Sequence, residues 1–173
     1  MKKTNLSLII TAAIVLSTAC FKIEPASVTP AIEFVSFEIF DTTDILQNQS
    51  KAGRLKFRFE DGDGDIGLAA TDIADTTNLK LSLYRKTGGT MQPVADTLDP
   101  LLPYRAYRIP DLEQAGSNKV LKGEITISII YQSYSTDDTI KYSFFITDQA
   151  GNTSNTEETA EITVSENNVY TKQ

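Results

Sequence analysis

The stretch DTIKYSFFITDQAGNTS, residues 138 to 154, carries the clearest fold signal in the chain. Apolar side chains occupy every second position from Ile140 to Ile146, and Lys141 and Ser143 lie between them. A period of two predicts a β-strand with one buried face. The polar segment that follows contains Gly151 and predicts a tight connection to the next strand.

The same period recurs along most of the chain. It predicts strands at residues 54–59, 79–84, 124–131 and 140–147, and shorter or less regular ones at 32–40, 91–95 and 159–164. Thr87 to Thr90, with two central glycines, predicts a hairpin turn. The best helical signal is one turn at Asp111 to Ala115. Many short alternating strands separated by turns predict an all-β sandwich.

Two local patterns resemble immunoglobulin-like domains. Asp138-x-Ile140-x-Tyr142-x-Phe144 resembles strand F of such domains, and residues 147–154 resemble the TDxAGNxS turn of many bacterial Ig-like modules. The resemblance implies a single Ig-like Greek-key β-sandwich of about seven strands. Tyr142 is then either a tyrosine corner or an ordinary inward aromatic residue. The tryptophan and the cysteine pair of antibody domains are missing.

The first twenty residues have the pattern of an export signal. Lys2 and Lys3 precede an apolar run that is too short for a comfortable membrane span. Leu16 to Cys20 resembles a bacterial lipobox, in which the cysteine becomes the first mature residue and carries acyl chains. Cys20 is the only cysteine in the chain, and acylation would account for an unpaired thiol in an exported protein. A simple cleaved signal is the alternative.

These features predict four segments and a location. Residues 1–19 are a lipoprotein signal peptide, 20–30 a lipidated N-terminus and linker, 31–166 the Ig-like sandwich, and 167–173 a polar tail.

Without residues 1–19 the net charge falls from −7 to −9, because two lysines and no acids are lost. An acidic chain is a poor ligand for nucleic acid. An acidic chain also gains no electrostatic attraction to an anionic membrane surface. Membrane attachment is therefore expected through lipid at Cys20, in the outer membrane of a Gram-negative bacterium.

Several segments taken together resemble one family. They are the lipobox-like run, FEDGDGDIG (59–67), YRIP (107–110), LKGEI (121–125) and TDQAGNTSN (147–155). The family is that of uncharacterised Bacteroidetes-type envelope lipoproteins with an Ig-like β-sandwich domain. The resemblance covers essentially the whole chain. It implies an envelope location and no particular activity.

The acidic loop, Asp61 to Gly67, is the strongest candidate for chemistry. Asp61, Asp63 and Asp65 lie at every second position, and glycines between them allow the backbone to curl. Three crowded carboxylates repel one another, and Ca²⁺ turns that repulsion into binding. The spacing partly fits an EF-hand loop, but Ile66 replaces the required glycine and Asp72 the closing glutamate. A plain turn with Asx-type hydrogen bonds is the alternative.

A sandwich would bring a second acidic segment to this loop. The second loop, Asp148 to Asn152, lies at the same end as the acidic loop if the two follow strands F and B of an Ig-like domain. The predicted Ca²⁺ ligands are therefore Asp61, Asp63, Asp65, Asp72, Asp148 and Asn152.

An enzymatic role is the weaker interpretation of the acids. The DGDGD run resembles the DGxDxDxE signature of a chitinase-like family, but Gly67 stands at the place of the final glutamate, and that family needs a far larger barrel. The chain has no histidine, hence no histidine relay and no typical zinc site.

The sequence therefore predicts a non-catalytic module that binds a glycan or an envelope protein through exposed loops. Aromatic side chains in or beside the connections are candidate contacts. They are Tyr104, Tyr107, Tyr131 and Tyr134. The alternative is a structural or spacer subunit of an envelope complex, and a carboxylate-based hydrolase is the third hypothesis.

Overall fold

The fold is described from a computed structural model. It describes residues 26–44, 46–69, 76–95, 103, 105–112, 119–132, 134–135 and 138–172. Among these residues there are ten β-strands and no helix. The strands are β1 (Ala31–Thr43), β2 (Gln49–Asp61), β3 (Leu79–Thr87), β4 (Thr90–Pro93), β5 (Ala106–Tyr107), β6 (Leu121–Tyr131), β7 (Thr139–Ile146), β8 (Glu157–Glu158), β9 (Ile162–Thr163) and β10 (Asn168–Thr171).

The strands form two antiparallel sheets. One has the order β10-β1-β2-β6, and the other has the order β4-β3-β7-β8, with β5 also paired to β3 and β9 to β7. The chain passes between the sheets four times: after β2, before β6, after β6 and before β10. The predicted all-β sandwich is confirmed. The predicted helical turn lies outside the described residues beyond Leu112.

The alternating side chains meet between the sheets, as their period predicts. Phe57 and Phe144 are fully buried, with ring centroids 5.3 Å apart across the core. Strands β2, β3 and β7 bury the predicted face in each case. The buried members are Leu55, Phe57, Phe59, Leu79, Leu81, Leu83, Ile140, Tyr142, Phe144 and Ile146. Burial of apolar area at roughly 25 cal/mol per Å² is the main force that holds such a core together.

Tyr131 and Tyr142 form a polar contact inside this core. Their hydroxyl oxygens lie 3.1 Å apart, and Tyr142 stacks on Phe37 with centroids 5.7 Å apart. Tyr131 is 3% exposed, so the prediction that it contacts a partner from an exposed connection is wrong. Its place in the alternation of β6 turns it inward, where its hydroxyl meets that of Tyr142. The Tyr142 hydroxyl thus has a side-chain partner rather than the backbone partner that a tyrosine corner would give it.

The predicted hairpin and the predicted tail have different outcomes. Gly88 and Gly89 have φ angles of 59° and 83° and connect β3 to β4, as the two-glycine turn predicts. The tail prediction is wrong for Asn168–Thr171, which pairs with β1 as an edge strand. Tyr170 explains the difference, because its ring packs against the core and its hydroxyl accepts a hydrogen bond from the Thr163 N–H at 3.0 Å.

Side chains form hydrogen bonds with the backbone at the start of β1, where β10 does not pair with it. We call these contacts the side-chain seal. The Asn155 Oδ1 accepts a hydrogen bond from the Ile32 N–H at 2.8 Å, and its Nδ2 donates to the Ile32 carbonyl at 2.9 Å. The Phe34 N–H donates to the Glu157 carboxylate at 3.2 Å. Backbone groups at a sheet edge need such partners to avoid pairing with other chains. These contacts also tie the two sheets together.

Candidate metal centre

The acidic loop and the second loop meet at one end of the sandwich. The acidic loop follows the end of β2 at Asp61, and the second loop follows the end of β7 at Ile146. The Gln149 N–H donates to the Asp65 carbonyl at 3.0 Å, and the Ala150 N–H donates to the Asp65 carboxylate at 3.2 Å. The predicted proximity of the two loops is therefore present in the structure.

Three carboxylates converge in the acidic loop. One oxygen from each of Asp61, Asp63 and Asp65 lies within 4.8 Å of the others. Asp61 is fully buried, and Asp63 and Asp65 are half-buried. The Oδ1 atom of each is buried and has no hydrogen-bond partner among the described residues. Buried polar atoms are nearly always paired, so three oxygens without a partner in one short loop need an explanation.

The electrostatics of the loop oppose ionisation. Burial raises the pKa of the Asp61 carboxyl to about 6, with further contributions from the charges of Asp63 and Asp65 and an opposing one from the Asp65 N–H. That N–H donates to the Asp61 Oδ2 at 2.9 Å. Burial, and then the charges of Asp148 and Asp63, raise the pKa of Asp65. A bound cation would offset each of these costs.

The donor set fits a hard cation. Every converging atom is a carboxylate oxygen, and Ca²⁺ takes six to eight oxygens at about 2.3–2.6 Å. Two oxygens on opposite sides of such an ion are about 5 Å apart, so three oxygens that all lie within 4.8 Å of one another can share one ion. The described residues add no nitrogen or sulfur ligand to this group, so zinc and copper are poorer candidates.

The other predicted ligands are placed differently. The two carboxylate oxygens of Asp148 accept hydrogen bonds from the Asn152 N–H at 2.6 Å and the Asn152 Nδ2 at 2.8 Å. Asp148 is not part of the converging group, because this pairing closes its own loop. It acts on the group as a nearby negative charge. Asp72 and Cys20 lie outside the described residues.

Two supporting features of the site were not predicted from the sequence. Asn78 is buried, and its Nδ2 donates to the Ile66 carbonyl at 2.6 Å while its Oδ1 accepts from the Ile109 N–H at 2.7 Å. The Gly62 N–H donates to the Ser27 carbonyl at 2.8 Å, which places the chain before β1 across the acidic loop. Neither contact leaves a periodic signal, because each joins residues far apart in the chain.

Comparison of the chain with protein-family models, with curated proteins and with solved structures finds no match. Within the part of the chain that the structure describes, no helix has the length and apolar character of a membrane span.

Proposed function

We propose that this protein is a non-catalytic, lipid-anchored module of the cell envelope. Its sandwich holds Ca²⁺ in the acidic loop and binds a glycan or protein partner through exposed loops. The anchor is the lipid on Cys20, and the membrane is the outer membrane of a Gram-negative bacterium. The lipobox-like run and the resemblance to envelope lipoproteins support the location.

The observation that carries the Ca²⁺ proposal is the set of three orphaned oxygens. A plain turn would use the aspartate oxygens to accept backbone N–H groups. Here the Oδ2 atoms of Asp61 and Asp65 accept backbone N–H groups, but the Oδ1 atoms of Asp61, Asp63 and Asp65 are buried with no partner among the described residues. This arrangement is unfavourable for an empty loop and favourable for a loop that holds a divalent cation.

The topology suggests where a partner would bind. The chain before β1 enters at the end that carries the acidic loop, so the opposite end lies farther from an anchor at Cys20. That opposite end carries the turn between β1 and β2 and the connection between β6 and β7. Leu46 in the first is 75% exposed and Tyr134 in the second is 40% exposed. Exposed apolar and aromatic side chains are suitable contacts for a glycan or a protein. Two further tyrosines were predicted as contacts. Tyr107 lies half-buried in β5, and Tyr104 lies outside the described residues.

The cation proposal is tested by titration calorimetry of the full chain in detergent, with Ca²⁺ and with Mg²⁺. We expect one Ca²⁺ site with a dissociation constant on the order of 10⁻⁴–10⁻³ M, as in other extracellular modules. Asp63→Asn should abolish the binding heat. Glu166→Gln also replaces a carboxylate by an amide, at an exposed position outside the acidic loop, and should leave the heat unchanged. Absence of Ca²⁺ binding in the unmodified chain would leave the turn hypothesis in place.

The partner proposal is tested with a glycan array and a pull-down from envelope extracts. Binding that is lost in the Leu46→Asp, Tyr134→Ala variant would support contacts at the far end. Val169→Ala, which trims an exposed side chain on the edge strand β10, is the matched control. Stable co-purification with one complex that is unaffected by these substitutions would favour the spacer alternative instead.

A further inference from the structure

The N-terminal segment packs directly on the acidic loop. The Gly62 N–H donates to the Ser27 carbonyl at 2.8 Å. A Cβ atom at position 62 would lie 2.4 Å from the Ser27 oxygen and 2.6 Å from the Ala26 oxygen, both of which are backbone atoms. Only glycine permits an approach this close. We call residues 26–30 the tether segment.

Gly62 lies between two members of the converging carboxylate group. Asp61 precedes it and Asp63 follows it, so any opening of the loop that separates these carboxylates also moves Gly62. Asp61 is fully buried and contributes an oxygen to the group, and its Oδ1 has no hydrogen-bond partner among the described residues. Without a cation, repulsion between the carboxylates favours opening, and with a cation the closed loop is favoured.

We propose that Ca²⁺ in the acidic loop locks the tether segment onto the sandwich and so fixes the orientation of the domain relative to its anchor. This inference rests on the proposed Ca²⁺ site and on the anchor at Cys20. Ala26 is six positions after Cys20 in the sequence, and a fully extended chain of that length spans about 20 Å. The tether segment is therefore the joint at which the orientation of the domain relative to the membrane is set.

The coupling acts in both directions. If the cation favours docking of the tether segment, docking must favour binding of the cation by the same factor. A tether segment that is pulled away should therefore weaken the affinity for Ca²⁺. The affinity of the loop thus depends on a segment that contributes none of the three carboxylates.

The experiment uses a nitroxide label on the full chain in detergent. Cys20→Ser removes the only native cysteine, and Val28→Cys introduces a labelling site in the tether segment at a residue that is 55% exposed. In this background we expect Ca²⁺ to add an immobilised component to the electron spin resonance spectrum, and a chelator to remove it. Gly62→Ala should prevent immobilisation, because its methyl group occupies the place of the Ser27 carbonyl. Gly88→Ala lies in the turn between β3 and β4, where a φ angle of 59° strains any side chain, so it is the control for a destabilising glycine substitution away from the tether segment.

The outcomes separate this inference from the proposed function. Binding of Ca²⁺ by calorimetry without any change at position 28 would overturn the tether inference and leave the Ca²⁺ site intact. Immobilisation that persists in Gly62→Ala would also overturn it. If the chain binds no Ca²⁺, both proposals are wrong. The comparison with and without Ca²⁺ in the Val28→Cys background does not depend on the folding of the glycine variant.

Discussion

At the end of β2, the Asp61 carboxyl occupies an environment that suits a protonated acid or a cation ligand better than a free carboxylate. It is fully buried beside Asp63 and Asp65, and its pKa is raised to about 6. The presence of three aspartates near one another was predicted from their spacing. The glycines between them predicted that the backbone can curl and bring the carboxylates together. The contact of this loop with the tether segment was not predicted, because it joins residues far apart in the chain.

Replacement of Asp61 by asparagine tests the repulsion directly. In Ca²⁺-free buffer at neutral pH, Asp61→Asn should raise the free energy of unfolding by on the order of 1–3 kcal/mol, because it removes a buried charge that costs about 1.4 kcal/mol per pKa unit. The same variant should lose the rise in melting temperature that Ca²⁺ produces in the unmodified chain. Urea unfolding with and without Ca²⁺ measures both effects. A destabilised variant in Ca²⁺-free buffer would contradict the repulsion.

The raised pKa of Asp61 also predicts a pH dependence. The carboxyl titrates at 3.8 in the unfolded chain and at about 6 in the folded one. Between these values the folded state holds a proton that the unfolded state has released, so the contribution of Asp61 to stability is present below pH 3.8 and is lost as the pH rises through about 6. Ca²⁺ competes with that proton, so the stabilisation by Ca²⁺ should grow over the same interval.

The measurement is the melting temperature against pH, in Ca²⁺-free buffer and in millimolar Ca²⁺. Other carboxyl groups contribute their own slopes, so the unmodified chain is compared with Asp61→Asn at each pH. In Ca²⁺-free buffer, the difference in melting temperature between Asp61→Asn and the unmodified chain should increase as the pH rises. A difference that stays constant with pH would rule out a raised pKa at Asp61.

The strands show which parts of the fold follow from local pattern. The alternation in β2, β3 and β7 predicted their buried faces correctly. In β1 the apolar pattern is mixed, and the structure gives the reason: the pairing with β2 shifts register between Phe34 and Ser36. Ile32 and Phe34 face inward before this bulge, and Phe37 and Ile39 face inward after it. A bulge changes the inward parity of a strand, so a strict period of two cannot describe β1.

The packed faces of β2 and β7 carry a quantitative prediction. Phe57→Ala or Phe144→Ala should lower the free energy of unfolding by roughly 3–5 kcal/mol, because each removes a fully buried ring from a core without disulfides. Chemical denaturation measures the loss. A cost below about 1 kcal/mol at either position would mean that the corresponding strand does not bury this face.

The side-chain seal on β1 has its own test. Asn155→Asp keeps the shape and the acceptor for the Ile32 N–H but loses the donor to the Ile32 carbonyl. We expect a loss of about 1–3 kcal/mol in unfolding free energy, the usual range when one hydrogen-bonding group loses its partner. Asn168→Asp, an exposed site on the edge strand β10, is the matched control. Equal stability of both variants would show that the seal contributes little.

At the scale of the whole molecule, the sequence predicts an anchor. Cys20→Ala should abolish acyl labelling and shift the protein from the membrane fraction to a soluble or uncleaved form, because the acyl chains supply the attachment. Metabolic labelling with a fatty acid, followed by membrane fractionation, measures both effects. Acyl labelling that persists in this variant would exclude Cys20 as the attachment site.

The place of β1 in its sheet has a mechanical consequence. It pairs with β2 from Ala31 to Thr43 and with β10 from Ser36 to Ile39, and its first residue follows directly on the tether segment. If the chain is anchored at Cys20 and holds a partner at the far end, as proposed, a load between the two would run parallel to this strand. To yield, β1 would have to slide out from between its two neighbours, and the hydrogen bonds along its length would share the load instead of opening one after another. A molecule loaded in this direction should resist shear far better than peeling.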